Sequence, residues 1–200
     1  MHKLPSILIY SRLAIGLFIV LLSIVGIEHY PLIAIILLTI GLLTDIFDGI
    51  IARQLNVSTE KLRGLDSNID QVFFVSVAVA TYIRCPDFFH TNKLKLTLLF
   101  GLEGLTYLVC FTKFKREIAT HTIGAKIWTL ILFSTLVQII IECQSNVLFN
   151  LCFWLGLLTR LEILSIIFTL KKWTNDVPTI YHAIQLRQGK EIKKHKMFNG

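Results

Sequence analysis

Residues 44–70 read TDIFDGIIARQLNVSTEKLRGLDSNID, and four aspartates punctuate them: Asp45, Asp48, Asp66 and Asp70. The first pair closes one apolar stretch and the second pair opens the next. An aspartate within a membrane helix costs about 2.5–3.5 kcal/mol on insertion scales, so it marks a functional site unless positive charge offsets it. At about 3.6 residues per turn, Asp45, Asp48, Gly49 and Ala52 fall within an arc of about 100° on one helix face. Asp66 and Asp70, four apart, share one side of the following helix. The intervening loop turns the chain back, so both pairs are expected to point into one cleft at the cytoplasmic interface.

Working outward, the chain of 200 residues is 54% hydrophobic and only 16% charged, with a mean hydropathy of +0.67. Soluble domains carry about a quarter charged residues, so this balance names lipid as the solvent. Six apolar stretches approach the roughly 20 residues that span a bilayer: 6–27, 32–53, 67–84, 94–112, 126–143 and 147–170. The first is too long for a signal-peptide core and has no small-residue cleavage site after it, so it reads as a retained helix. The expected fold is all-α, an integral membrane protein of six transmembrane helices. Residues 1–173 form the membrane domain and 174–200 a basic cytoplasmic tail.

The net charge of +7 is unevenly placed. Three connections, 28–31, 85–93 and 143–146, are short and poor in Lys and Arg, although Lys93 and Lys95 lie near the second. The other side collects Lys3; Arg53, Lys61 and Arg63; Lys113, Lys115, Arg116 and Lys126; and the tail from Lys171 to Lys196. The positive-inside bias therefore places both termini in the cytoplasm. The basic tail is expected against anionic lipid, where each Lys or Arg gains roughly 1 kcal/mol. Cys85, Cys110, Cys143 and Cys152 lack any C-x-x-C spacing and read as free thiols in apolar helices. The six histidines are equally scattered and suggest no cofactor.

Carboxylates are hard oxygen ligands, and a cluster of them without His or Cys selects Mg²⁺, Mn²⁺ or Ca²⁺. Two such ions about 3.5–4 Å apart can clamp a pyrophosphate between attacking and leaving oxygens. Gly49 and Ala52 keep the same helix face small, so a phosphorylated ligand can approach the backbone. Arg53, at the edge of that arc, can pair with a phosphate oxygen. A carboxylate-based cation transporter would use similar residues, but it predicts inverted repeats and helices broken near the midplane, and neither is visible.

These residues resemble the signature of the CDP-alcohol phosphatidyltransferase family, D-x2-D-G-x2-A-R-x8-G-x3-D-x3-D. Asp45, Asp48, Gly49, Ala52, Arg53, Asp66 and Asp70 match seven of its eight fixed positions; Leu62 stands where the family has glycine. Pro5 and Arg12 also agree with a family P-N-x2-T-x2-R stretch, and the run from Gly124 to Thr129 weakly echoes a G-K-x-K-T segment. The resemblance implies six membrane helices, a homodimer, and transfer of a phosphatidyl group from a CDP-linked lipid, CDP-diacylglycerol, to a small alcohol, with release of CMP. It implies that Asp45, Asp48, Asp66 and Asp70 hold divalent Mg²⁺ or Mn²⁺, and that Asp70 is the general base. Asp48, Gly49, Ala52, Arg53 and Asp66 would hold the CDP-lipid.

Charges interrupt two other apolar stretches: Glu103 in FGLEGLTY, and Arg160 with Glu162 in TRLEILS. An intramembrane arginine is paired or lines a polar cavity. Arg160 and Lys126, with Arg116, are candidates for an anionic acceptor. The competing reading pairs Arg160 with Glu162 or Glu103 and leaves Arg116 and Lys126 as interfacial residues whose stems lie along apolar surface. Glycerol 3-phosphate is the first-choice acceptor, inositol phosphate the next, then inositol or serine. The expected partners are the bilayer, the CDP-lipid, the small polar or phosphorylated alcohol and a second copy of the chain, with no nucleic acid. The expected location is the cell membrane, with the active site at its cytoplasmic face.

Overall fold

A computed structural model describes residues 4–55, 59–116, 118, 120, 122–190 and 192. The described residues are mostly helical, with no strand among them. The helices are α1 (Leu4–Val25), α2 (Tyr30–Gln54), α3 (Glu60–Arg84), α4 (Pro86–Thr91), α5 (Lys93–Phe114), α6 (Ile123–Glu142), α7 (Val147–Thr169) and α8 (Ile180–Arg187). This is the all-α class the sequence predicts. Among the described residues, α1, α2, α5, α6 and α7 are long and apolar enough to cross a membrane. At 25 residues α3 is also long enough, about 37 Å, but Arg63, Asp66 and Asp70 depress its hydropathy. The chain divides into two compact units: residues 1–92 with 133–146, and residues 93–132 with 147–200.

In the first unit, the buried residues of α1 are Pro5, Ile9, Arg12, Gly16, Ile19 and Ser23. Steps of four and three put them in one stripe, and a guanidinium sits in the middle of it. On α2 the inward stripe runs Tyr30, Ala34, Leu38, Gly41, Asp45, Asp48 and Ala52, so the two aspartates continue an apolar seam. Leu17, Leu21, Ile36, Ile40 and Phe47 stand on the opposite faces, exposed as a lipid-facing surface requires. Helices α1 and α3 run parallel, with α2 antiparallel to both. The turn from α1 to α2 uses Gly26 at φ +71°, a left-handed conformation open to glycine. Packing is tightest around Phe73 of α3: a Cβ on Gly16 would lie 3.3 Å from its ring, and one on Gly41 only 2.3 Å away.

Two cysteines depart from the expectation of free thiols. Cys85, which ends α3, and Cys143, just past α6, form a disulfide with Cα atoms 5.2 Å apart. Their sequence separation of 58 conceals the pairing, which exists because both helices end at the same level. Cys110 and Cys152 are buried and stand outside the disulfide, as expected.

In the second unit, α5 packs along α7 through Cys110, Ile163 and Ile167. Gly156 lets the Trp128 indole approach α7, where Nε1 donates to the Cys152 carbonyl at 2.9 Å. The tail is partly folded. Val177 and Ala183 are fully buried with Ile166 and Leu170, seating α8 on α7, while Tyr181 and Ile184 face outward. Residues 193–200 lie outside the described residues.

Candidate active site

Arg12 is fully buried on α1, and all four aspartates meet it. Its Nη1 donates to Asp45 Oδ1 at 2.6 Å and to Asp70 Oδ1; its Nη2 donates to Asp48 Oδ2 at 2.6 Å and to Asp66 Oδ1. Each terminal nitrogen thus takes one carboxylate from α2 and one from α3. Asp48 and Asp66 are 2% and 5% exposed, while Asp45 and Asp70 are only partly covered. The convergence expected from the spacing is therefore present.

The site lies deeper than the sequence suggests. Counting along each helix from the shared end, Arg12, Asp45 and Asp70 are about 12–15 Å in, and Asp48 and Asp66 about 9 Å. The reason is that α3 starts at Glu60, ahead of its apolar stretch, with Thr59 as N-cap accepting from Leu62 N at 3.2 Å. Leu62, the departure from the family's glycine, occupies a half-buried first-turn helical position, and its backbone N–H is the one that Thr59 caps. Arg63 follows inside the helix, 6% exposed, and its charge reaches Asp48. It is not the loop residue that the charge pattern implied.

Ala52 is buried and Gly49 half-buried on the same α2 face, as the arc predicts. Arg53 continues α2, but its side chain lies outside the described residues. One layer further in, Gly16 follows Arg12 by four residues, Gly41 precedes Asp45 by four, and Phe73 follows Asp70 by three. Phe73 is 1% exposed and closes the polar layer against the apolar core.

Four carboxylates face two buried guanidinium groups, a formal excess of two negative charges that a divalent cation would balance. Oxygen atoms of Asp45, Asp48 and Asp66 all lie within 4.8 Å of one another. That spread is close to what a six-coordinate oxygen shell around a hard cation requires, so the donor set fits Mg²⁺, Mn²⁺ or Ca²⁺. Asp70 joins the group through Arg12.

A family model described as CDP-alcohol phosphatidyltransferase matches residues 2–169. The chain belongs to that family. It is accordingly a transferase of phospholipid synthesis, built from membrane-type helices and working with a CDP-alcohol lipid donor and an alcohol acceptor. The family uses divalent cations, which agrees with the carboxylate geometry. No curated protein and no solved structure matches the chain.

Arg116, Lys126 and Arg160 all fall in the second unit. Arg160 is buried on α7, ion-paired through Nε to Glu103 Oε2 of α5, with its guanidinium 5.1 Å from the Trp128 ring centroid. The helix-joining pair considered from sequence is thus formed. Arg116 lies 4.9 Å over the Trp173 ring. Lys126 is exposed in the first turn of α6, whose N-terminus Thr122 caps by accepting from Ala125 N at 3.0 Å. Glu162 lies beside Gly124, 3.1 Å from where a Cβ would stand.

Sequence reasoning missed two arginines as site residues. Arg12 carried a usable signal, since it is the one charged residue within the first apolar stretch, the situation that flagged Arg160. Arg63 carried none, because the helix boundary that buries it is not visible in hydropathy.

Proposed function

We propose that the enzyme transfers the phosphatidyl group of CDP-diacylglycerol to the hydroxyl of a small alcohol, releasing CMP, with glycerol 3-phosphate as the first-choice acceptor. The observation that carries this reading is the meeting of four motif aspartates from two helices at one point. Asp45, Asp48 and Asp66, with Asp70, would hold Mg²⁺ or Mn²⁺, which supplies positive charge to the donor's diphosphate.

The remaining roles belong to side chains. Asp70, only partly covered, accepts the proton of the acceptor hydroxyl. The acceptor oxygen bonds to the phosphorus attached to diacylglycerol, the bond from that phosphorus to the CMP oxygen breaks, and CMP leaves with the electron pair. Arg53 pairs with a phosphate oxygen, and the small residues Gly49 and Ala52 allow the donor to approach α2. Buried surroundings strengthen each of these electrostatic contacts relative to water.

Arg116, Lys126 and Arg160 are assigned to the acceptor's anionic group. Their charge favours a phosphorylated alcohol, glycerol 3-phosphate or inositol phosphate, over free inositol or serine. Because Arg160 already serves Glu103, its share in acceptor binding is made alongside that pair. A topology of six spans with both termini cytoplasmic, and residues 174–200 on the cytoplasmic surface of the cell membrane, draws support from two facts. The α2–α3 connection, with Lys61 and Arg63 beside it, lies at the carboxylate end of α3, and the disulfide lies at its other end, as the oxidising side of a membrane requires. The working form is a homodimer, by resemblance to the family.

The test supplies purified protein with CDP-diacylglycerol, Mg²⁺ or Mn²⁺, and a panel of alcohols. CMP release that requires glycerol 3-phosphate is the expected result. Release with inositol phosphate, inositol or serine alone reassigns the acceptor, and no release with any alcohol rejects the reading.

A further inference from the structure

Arg12 draws on the same four carboxylates that make the cation site. Both of its terminal nitrogens are fully engaged: each has two N–H groups, and each serves two aspartates. The remaining donor, Nε, is buried without a hydrogen-bond partner, so the fork is aimed wholly at the acidic cluster. The rest of the α1 inward stripe is Pro, Ile, Gly and Ser, which provides no other anion.

We propose that Arg12 is a built-in counter-cation, a positioning residue that holds the four carboxylates together when no divalent ion is bound and competes with the ion for them. This rests on the metal-site reading given above. The physical case is a comparison of charges. Four carboxylates without a cation repel one another across a buried space, which a low-dielectric surrounding amplifies. One guanidinium offsets part of that repulsion, and its planar fork spreads its charge over all four groups. A divalent ion brings twice the charge, so it wins the oxygens only by working against the positive charge already there. A plain helix-stapling role makes the opposite forecast: removing the staple scatters the ligands and weakens metal uptake.

The experiment titrates the full-length purified protein with Mn²⁺ alone and reads free Mn²⁺ by its paramagnetic resonance signal, alongside thermal midpoints with and without the ion. Arg12→Gln is expected to bind Mn²⁺ at least about 10-fold more tightly than the unaltered protein, and to show the larger gain in midpoint on Mn²⁺ addition. Arg12→Lys, which keeps a charge but loses the fork, is expected to fall between the two and serves as the measured variant if Arg12→Gln does not fold. Unchanged or weaker Mn²⁺ binding in the variant measured overturns the proposal. Asp48→Asn provides the separation: if it weakens Mn²⁺ binding while the Arg12 variants do not tighten it, only the counter-cation role fails. If neither the unaltered protein nor the variants take up Mn²⁺, the metal site and this role fall together.

Discussion

A methyl group on Gly41 would stand 2.3 Å from Cζ of Phe73. Phe73 is fully enclosed and cannot swing away, so the ring sets the distance between α2 and α3 one layer from the carboxylates. Gly41→Ala is expected to cost about 1–3 kcal/mol of stability through overpacking. Turnover should fall by about 100-fold, since small displacements of ligating groups are expensive. Adding Phe73→Leu to Gly41→Ala should restore most of both losses. A double variant no better than Gly41→Ala would show that this contact does not set the helix spacing.

Asp70 and Asp48 should fail in different ways. Asp70→Asn keeps an oxygen near Arg12 but removes the base, so kcat should drop by about 100-fold or more, with the KM for CDP-diacylglycerol within about threefold. Asp48→Asn should weaken Mn²⁺ binding directly. Steady-state kinetics and metal titration on the two proteins separate these outcomes. Full activity in Asp70→Asn would remove it from the chemistry.

Arg160 and Glu103 offer a test of the acceptor assignment against simple helix joining. Breaking a buried pair by Arg160→Met leaves Glu103 uncompensated and should cost about 3–5 kcal/mol. The double variant Arg160→Met with Glu103→Met should recover much of that stability. If Arg160 also binds the acceptor, the stable double variant will still show a raised acceptor KM with the donor KM unchanged. A normal acceptor KM in the double variant would confine Arg160 to its pair with Glu103.

The Cys85–Cys143 bond closes a separation of 58 residues, for which chain-entropy estimates give up to about 4 kcal/mol. Helices retained in lipid reduce that figure, so reduction should lower the thermal midpoint measurably without unfolding the protein. In sealed vesicles, after reduction, an impermeant maleimide should label the exposed Cys143 only from the side opposite the cytoplasm. Labelling from the cytoplasmic side would reverse the proposed orientation. Cys110 and Cys152, being buried, should stay protected.

The sequence showed the helical class and the aspartate cluster because both depend on local spacing. Asp45 and Asp48 share a face by helix geometry alone, and Asp66 and Asp70 do likewise. What spacing could not show was the third helix in the site. Arg12 lies 33 residues before Asp45 and 58 before Asp70, and only tertiary packing unites them. The start of α3 was misplaced because hydropathy tracks lipid contact, whereas Thr59 begins the helix through a capping hydrogen bond. The disulfide escaped notice for a related reason: it reports where two helices happen to end, a property of lengths rather than of motifs.

The division of charge among α1, α2 and α3 also bears on how the molecule is made. Synthesis delivers Arg12 to the bilayer before any aspartate exists to meet it. Each of these charges alone carries an insertion cost of about 2.5–3.5 kcal/mol. A nascent chain halted after α2 would hold the cation with two of its four anions, and the remaining two arrive only with α3. The acidic centre is thus complete only when α1, α2 and α3 have come together, and it is not a feature of any single hairpin.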